Sequence, residues 1–255
     1  MAVTKIALIL EYEGTKYCGF QLQAELPTIQ SELEAALWKL TGERIRIIGA
    51  SRTDSGVHAR GQVVSFRTKS LLPPATFVKG LNHYLPKDIA VKAAHKIADS
   101  FDVRRDAVSR EYKYYILNSR IRSPLRQGFC YQVAGELNLE IMNTACQALV
   151  GKQDLASFAS ELGDNIKNTI RTVHQAEMQK DNDMAIFYIV ANSFLPHQVR
   201  NTVGALIRVG LGKMTVNDFH SIIKGRQPGL AGPTAPAYGL FLLRVNYPRP
   251  LGEEA

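Results

Sequence analysis

The stretch Gly49-Ala50-Ser51-Arg52-Thr53-Asp54-Ser55-Gly56-Val57-His58-Ala59-Arg60-Gly61-Gln62 lies between two apolar runs, 45–48 and 63–67, that read as strands. A connection of this length exceeds a hairpin turn, and long loops inside compact domains tend to carry function. The stretch holds one carboxylate, two arginines, one histidine and three glycines. Arg52, two residues before Asp54, favours the ionised carboxylate, and glycine permits positive φ and close approach of a ligand or another backbone. By composition alone the same residues also make an Asp-Ser-Gly turn with a solvated ion pair. The surroundings must decide.

Working outward, residues 5–12 read as a buried strand. Residues 28–41 read as a helix with Ile29, Leu33, Ala36, Leu37 and Leu40 on one face, Thr28 as N-cap and Gly42 as stop. Downstream, 74–85 is a helix opened by Pro73-Pro74 and closed by Pro86, and 89–95 is a strand. The order is β-α-β-β-α-β. Residues 99–110 carry Arg104, Arg105 and Arg110 without an apolar period and read as a linker. The second half then gives a strand (111–118), a basic loop (Arg120, Arg122, Arg126) and a helix (139–150, with Ile141, Ala145 and Leu149 on one side). Strands 169–179 and 184–191 follow around the turn Asp181-Asn182-Asp183. A helix over 197–211 places Val199, Val203, Leu206 and Val209 inward. A short helix over 216–224 has Thr215 as N-cap and Asp218 at N3, and the last strand is 240–246. Apart from the short helix, the first order repeats.

The expected fold class is therefore α+β: two ferredoxin-like (βαββαβ) halves with mainly antiparallel sheets facing a central basic active-site cleft. The expected domains are 1–103, carrying the Asp54 loop, and 104–250, completing the cleft, with a tail at 251–255.

Composition narrows the function classes. The chain has 255 residues, 45% apolar and 21% charged, as in globular proteins. Net charge is +8 and the isoelectric point is about 9.4, which suits an anionic partner, nucleic acid first. Cys18, Cys130 and Cys146 form no CxxC pair and no metal-ligand spacing, the pattern of reduced thiols in a cytoplasmic protein. The apolar run 6–10 is too short for a signal peptide and is followed by Glu11, and no run approaches a membrane span.

Two further runs have chemical content. Arg110-Glu111-Tyr112-Lys113-Tyr114-Tyr115 interleaves cations with aromatics, which suits either a base-stacking RNA surface or a strand with one face in the core. In Asn192-Ser193-Phe194-Leu195-Pro196-His197-Gln198-Val199-Arg200-Asn201-Thr202-Val203-Gly204, Arg200 sits at the border of the apolar face. There it either snorkels to solvent or reaches a carboxylate. Gly204 reads as a close-packing glycine. Asp54 and His58 have no third ligand at a metal-site spacing, and the chain has no P-loop, dinucleotide fingerprint or G-x-S-x-G elbow.

Ser51-Arg52-Thr53-Asp54-Ser55-Gly56-Val57-His58-Ala59 resembles the active-site motif of the tRNA pseudouridine synthase A family. Five other runs resemble that family in the same order: 12–21 (with Glu13 and Phe20 where the family has Asp and Trp), 85–89, 110–114, 194–204 and 234–240. Pro196 departs from the pattern, where an aromatic or histidine often sits. The resemblance implies an isomerase that converts uridine to pseudouridine in the anticodon arm of tRNA, at positions 38, 39 and 40, with no cofactor and no metal. It assigns Asp54 as the catalytic residue, Tyr112 as the ring over the target base and Arg200 as the partner of Asp54, and Arg52, on the same loop, is placed to fill the vacated stack or to hold the flipped nucleotide's phosphate. Arg60, Lys79, Arg104, Arg105, Arg110, Lys113, Arg120, Arg122 and Arg126 are candidates for phosphate contact. The family tends to act as a homodimer. A non-catalytic RNA-binding or RNA-chaperone module shares the charge and the aromatic strands without needing Asp54. An N-glycosidase would use the same carboxylate on the same bond and release free base.

Overall fold

A computed structural model describes residues 3–160, 162 and 168–252. In chain order the strands are β1 Thr4–Tyr12, β2 Ile48–Gly49, β3 His58–Thr68, β4 Ile89–Ile97, β5 Ser109–Asn118, β6 Tyr131–Val133, β7 Gly151–Asp154, β8 Ile170–Asp181, β9 Met184–Ala191 and β10 Leu240–Asn246. The helices are α1 Ile29–Thr41, α2 Pro74–Tyr84, α3 Leu139–Gln147, α4 Gln198–Gly210 and α5 Val216–Gly225. The chain forms two compact units. One is the described part of Met1–Arg110 with Leu242–Ala255, and the other is that of Glu111–Phe241. Residues 104–110 and the greater part of β10 thus pack with the first unit. Of the tail expected at 251–255, residues 253–255 lie outside the described residues.

In the first unit β1 pairs antiparallel with both β3 and β4, and β2 pairs antiparallel with β3, giving the order β4-β1-β3-β2. Side chains alternate across β1. Ile6, Leu8, Leu10 and Tyr12 are buried, and with Leu33 and Leu37 of α1 and Phe77 and Leu81 of α2 they supply the unit's core. Helix α1 starts at Thr28, whose hydroxyl accepts from Ser31 N–H, and ends at Gly42 in the left-handed region, φ 73°.

In the second unit the strand order is β5-β9-β8-β7, and β6 adds to β5 in parallel. The sheets are mostly antiparallel but mixed. Helix α5 carries the expected capping box, Thr215 with Asp218. Asn182, φ 54°, makes the turn of the β8–β9 hairpin. No helix among the described residues is long and apolar enough to cross a membrane.

Several expectations needed correction. The strand placed at 45–48 reduces to Ile48–Gly49. Ile45 and Ile47 are buried, and the Ile47 N–H donates to Glu34 Oε1 at 3.1 Å rather than to a ladder. Strand β3 begins at His58 instead of Val63, so the opening loop spans only 50–57. Helix α3 stops at Gln147 and turns Met142, Ala145 and Cys146 inward, leaving Ile141 42% exposed. The 99–110 segment, read as a linker, ends at the boundary between the two units and is itself held by hydrogen bonds. Asp102 Oδ1 accepts from Arg104 N–H (2.8 Å) and Arg105 N–H (2.9 Å), bonds that hold its carboxyl below the usual range, the Arg105 amide foremost. Val103 is fully buried, and Tyr247 Oη donates to its carbonyl at 2.7 Å.

Candidate active site

The loop 50–57 is built from both of its sides within the first unit. Its base is closed by a side chain acting as a ladder. Gln62, fully buried, accepts from Ser51 N–H at 3.2 Å and donates to the Ser51 carbonyl at 2.7 Å. Ala50 N–H donates to the Val63 carbonyl at 2.8 Å. Arg110 grips the other side of that base. It is buried, and its Nη2 donates to the carbonyls of Ala50 (3.1 Å) and Arg104 (2.8 Å), while Nη1 donates to that of Ala107 (3.2 Å). Arg110 is therefore engaged in holding the backbone and is withdrawn from the candidates for phosphate contact.

The tip of the loop is a turn. Val57 N–H donates to the Asp54 carbonyl at 3.2 Å, and Gly56 takes the third position with φ 78°, a conformation that L side chains adopt reluctantly. Replacing Gly56 with alanine is expected to cost roughly 1–2 kcal/mol of stability in urea unfolding. Turnover should fall with it, because Asp54 opens the same turn.

The segment 13–20 clasps this turn. Phe20 N–H donates to the Thr53 carbonyl (3.0 Å), Ser55 Oγ and Gly56 N–H both donate to the Tyr17 carbonyl (3.1 and 3.4 Å), and Tyr12 Oη shares a hydrogen bond with Thr53 Oγ1 (2.7 Å). Gly14 N–H donates to His58 Nδ1 at 3.1 Å. That bond occupies one ring nitrogen of a buried histidine. A Cβ on Gly14 would overlap the Val57 carbonyl oxygen, and one on Gly19 would press on the Thr53 carbonyl. The clasp is anchored in turn by Asp88. Its carboxylate accepts from Tyr17 Oη at 2.6 Å, and its carbonyl accepts from Glu13 N–H at 2.9 Å. Burial first, then the Asp88 bond, pushes the Tyr17 phenol well above its ordinary value, so it stays a donor. Asp54 itself is half-buried and Arg52 exposed. Among the described residues no group of three or more His, Cys, Asp or Glu is placed to hold a metal ion.

The second unit assembles its own cluster. Tyr112 on β5 is buried and meets Phe194 edge to face, ring centroids 5.0 Å apart at 84°. Helix α4 follows directly. Its N-cap His197 is left-handed, φ 58°. Gln198 Oε1 accepts from Leu195 N–H at 2.8 Å. Arg200 Nε donates to the Ala235 carbonyl at 2.9 Å, and Ala235 N–H donates back to the Arg200 carbonyl at 3.2 Å. Asn201, buried, donates to the Phe158 carbonyl (2.7 Å) and accepts from Thr234 Oγ1 (2.6 Å). A Cβ on Gly204 would overlap the Pro233 carbonyl oxygen, so the close approach expected there is to backbone rather than to another helix. Tyr114 Oη donates to the Pro236 carbonyl at 2.7 Å. The 233–236 backbone thus fixes the first turn of α4 and, with it, the plane of the Arg200 guanidinium.

A family model described as tRNA pseudouridine synthase matches residues 8–106 and 145–248. The chain belongs to that family. A tRNA pseudouridine synthase A of a Thermoanaerobacter species (strain X514) is 40% identical over 242 residues, 95% of this chain and 99% of the relative. One from Methylacidiphilum infernorum is 38% identical over 248 residues, 97% of each. One from Legionella pneumophila (strain Lens) is 39% identical over 249 residues, 97% of this chain and 94% of the relative.

In this tRNA pseudouridine synthase the six motif runs seen in the sequence fall into two packed sets. Runs 12–21, 49–62 and 85–89, together with Arg110, meet around the Asp54 turn in the first unit. Runs 112–114, 194–204 and 234–240 meet around the start of α4 in the second. Sequence reasoning missed Gln62, Tyr17, Asp88 and Asn201 as supports. Each stood inside a run already quoted, but its partner lies 11 to 71 residues away and nothing in the run names it.

Proposed function

We infer that this chain isomerises uridine to pseudouridine within tRNA, in the anticodon arm at positions 38, 39 and 40, with Asp54 as the catalytic residue. Family membership carries the activity. The observation that supports Asp54 is its setting: a half-buried carboxylate on a turn clamped from three sides, an arrangement that fixes a reacting group without reorganisation. The uracil N1–C1′ bond breaks, the base rotates, C5 bonds to C1′, and the C5 proton leaves while N1 gains one. Nothing is oxidised and no water is added, so the chemistry calls for no cofactor.

The target base must leave the stack to be reached. Tyr112 is read as the ring that covers it, since the edge contact with Phe194 holds that ring in one orientation. Arg52, exposed on the loop, is read as filling the vacated stack or binding the flipped nucleotide's phosphate. Arg200 is read as the guanidinium that keeps Asp54 ionised. The two ferredoxin-like halves and the basic cleft belong to the same reading, supported by the order β4-β1-β3-β2 in the first unit. A cytoplasmic location and a homodimer that shares a tRNA belong to the same reading.

The test is tritium release from tRNA labelled at uridine C5, with product analysis for free uracil. Release without free uracil supports the reading. Tight tRNA binding without release favours an RNA-binding module, and free uracil favours a glycosidase. In the same assay Arg200→Ala is expected to lower turnover by about 10²-fold or more, the scale of one preorganised electrostatic partner. Near-normal turnover would remove Arg200 from the site.

A further inference from the structure

The first unit carries a second feature that the proposed chemistry does not use. A hollow of about 660 Å³ opens over β3, β4 and β10. Arg60, Lys92, Arg244 and Arg249 line it together with His95 and Tyr247, and its lining contains no carboxylate. Beside it Glu11 meets Lys92 at 3.0 Å. Its floor is apolar strand surface, including Ile9, Val63 and Val245.

The far wall is the segment after β10, and it is pinned at both ends. Tyr247 donates to the Val103 carbonyl at 2.7 Å and stacks, tilted, on Phe101 with centroids 5.1 Å apart. At Gly252, φ 91°, a Cβ would collide with the His95 ring. Arg249 therefore stands on a short span anchored on either side. Arg60 is the third residue of β3, the strand that leaves the Asp54 turn. The hollow and the turn thus share one strand. Cations on neighbouring strands over an apolar floor match a run of backbone phosphates better than a single small anion.

We propose that this hollow is a phosphate-backbone site that holds the tRNA to the first unit beside the Asp54 turn. The inference rests on the tRNA reading above and adds residues of the C-terminal segment, Arg244 and Arg249, to the binding surface. These residues position the RNA and touch no reacting atom.

The experiment measures tRNA affinity of the full chain as a function of salt, for wild type, Arg244→Ala/Arg249→Ala and Arg244→Lys/Arg249→Lys. The alanine pair is expected to lower the slope of log affinity against log salt by about two, one for each phosphate no longer neutralised. Affinity at low salt should drop about tenfold or more. KM should rise while kcat at saturating tRNA holds, the pattern expected when uniform binding is weakened. The lysine pair should keep the slope, which a purely structural role for the arginines would not explain. An alanine pair with the wild-type slope would overturn the site. Wild-type tritium release decides the isomerase reading separately, so failure of one leaves the other standing.

Discussion

Asp54→Asn is expected to abolish pseudouridine formation, with turnover falling by on the order of 10⁴-fold or more, the scale of removing a nucleophile or general base. Asparagine keeps the shape of the side chain. The turn's closing bond runs from Val57 N–H to the backbone carbonyl of residue 54 and its strained position is Gly56, and the substitution changes neither. Folding should therefore survive, and the thermal midpoint should stay near that of the wild type. Affinity for tRNA should hold or rise, since a negative charge beside phosphates is removed. Asp54→Ala, which cannot revert by deamidation, should give the same result. Tritium release and tRNA binding measured on both variants check this. Turnover within tenfold of wild type would take the reaction away from Asp54.

The second large effect is expected at Arg110. Removing its guanidinium by Arg110→Ala leaves the carbonyls of Ala50, Arg104 and Ala107 without that donor. At about 1–3 kcal/mol for each unsatisfied buried group, the loss should reach roughly 3 kcal/mol or more in urea unfolding. Arg110→Lys should restore little. One ammonium is a point donor and cannot bridge three carbonyls as a planar fork does. Turnover should fall in both variants through kcat, because Ala50 is the base of the loop that carries Asp54. Arg110 acts as a positioning residue, so tRNA affinity should change far less than turnover. A salt slope reduced by about one in Arg110→Ala would instead mark a phosphate contact and contradict the burial of this side chain.

Arg110 shows where reading a sequence stops. A charge in a basic, tyrosine-rich run reads as surface, and only the fold turns it back onto the carbonyls of Arg104 and Ala107 and brings the distant Ala50 carbonyl to it. The helices were legible because their signals are local. Thr28 with Gly42, and Thr215 with Asp218, mark ends that the structure places at the same residues. Strands β6 and β7, Tyr131–Val133 and Gly151–Asp154, were not legible. They are too short to show alternation, and their pairing with β5 and β8 is decided by non-local contacts. On α3 the apolar residues spread around the helix, so the buried face could not be told from Ile141 alone. The motif runs were visible as strings. The bonds that unite them, such as Tyr17 to Asp88, were not, because a sequence does not say which polar side chain answers which.

The first unit takes its residues from both ends of the chain, while the second is one continuous segment, Glu111–Phe241. A ribosome delivering about 5–20 residues per second exposes the whole second unit before Leu242–Asn246 can reach the first. During that interval of roughly ten seconds, the sheet that supports the Asp54 turn lacks its closing strand, and Tyr247 has not yet covered Val103. A nascent chain of this protein therefore carries its most finely held loop on its least finished half until Leu242–Asn246 has been made.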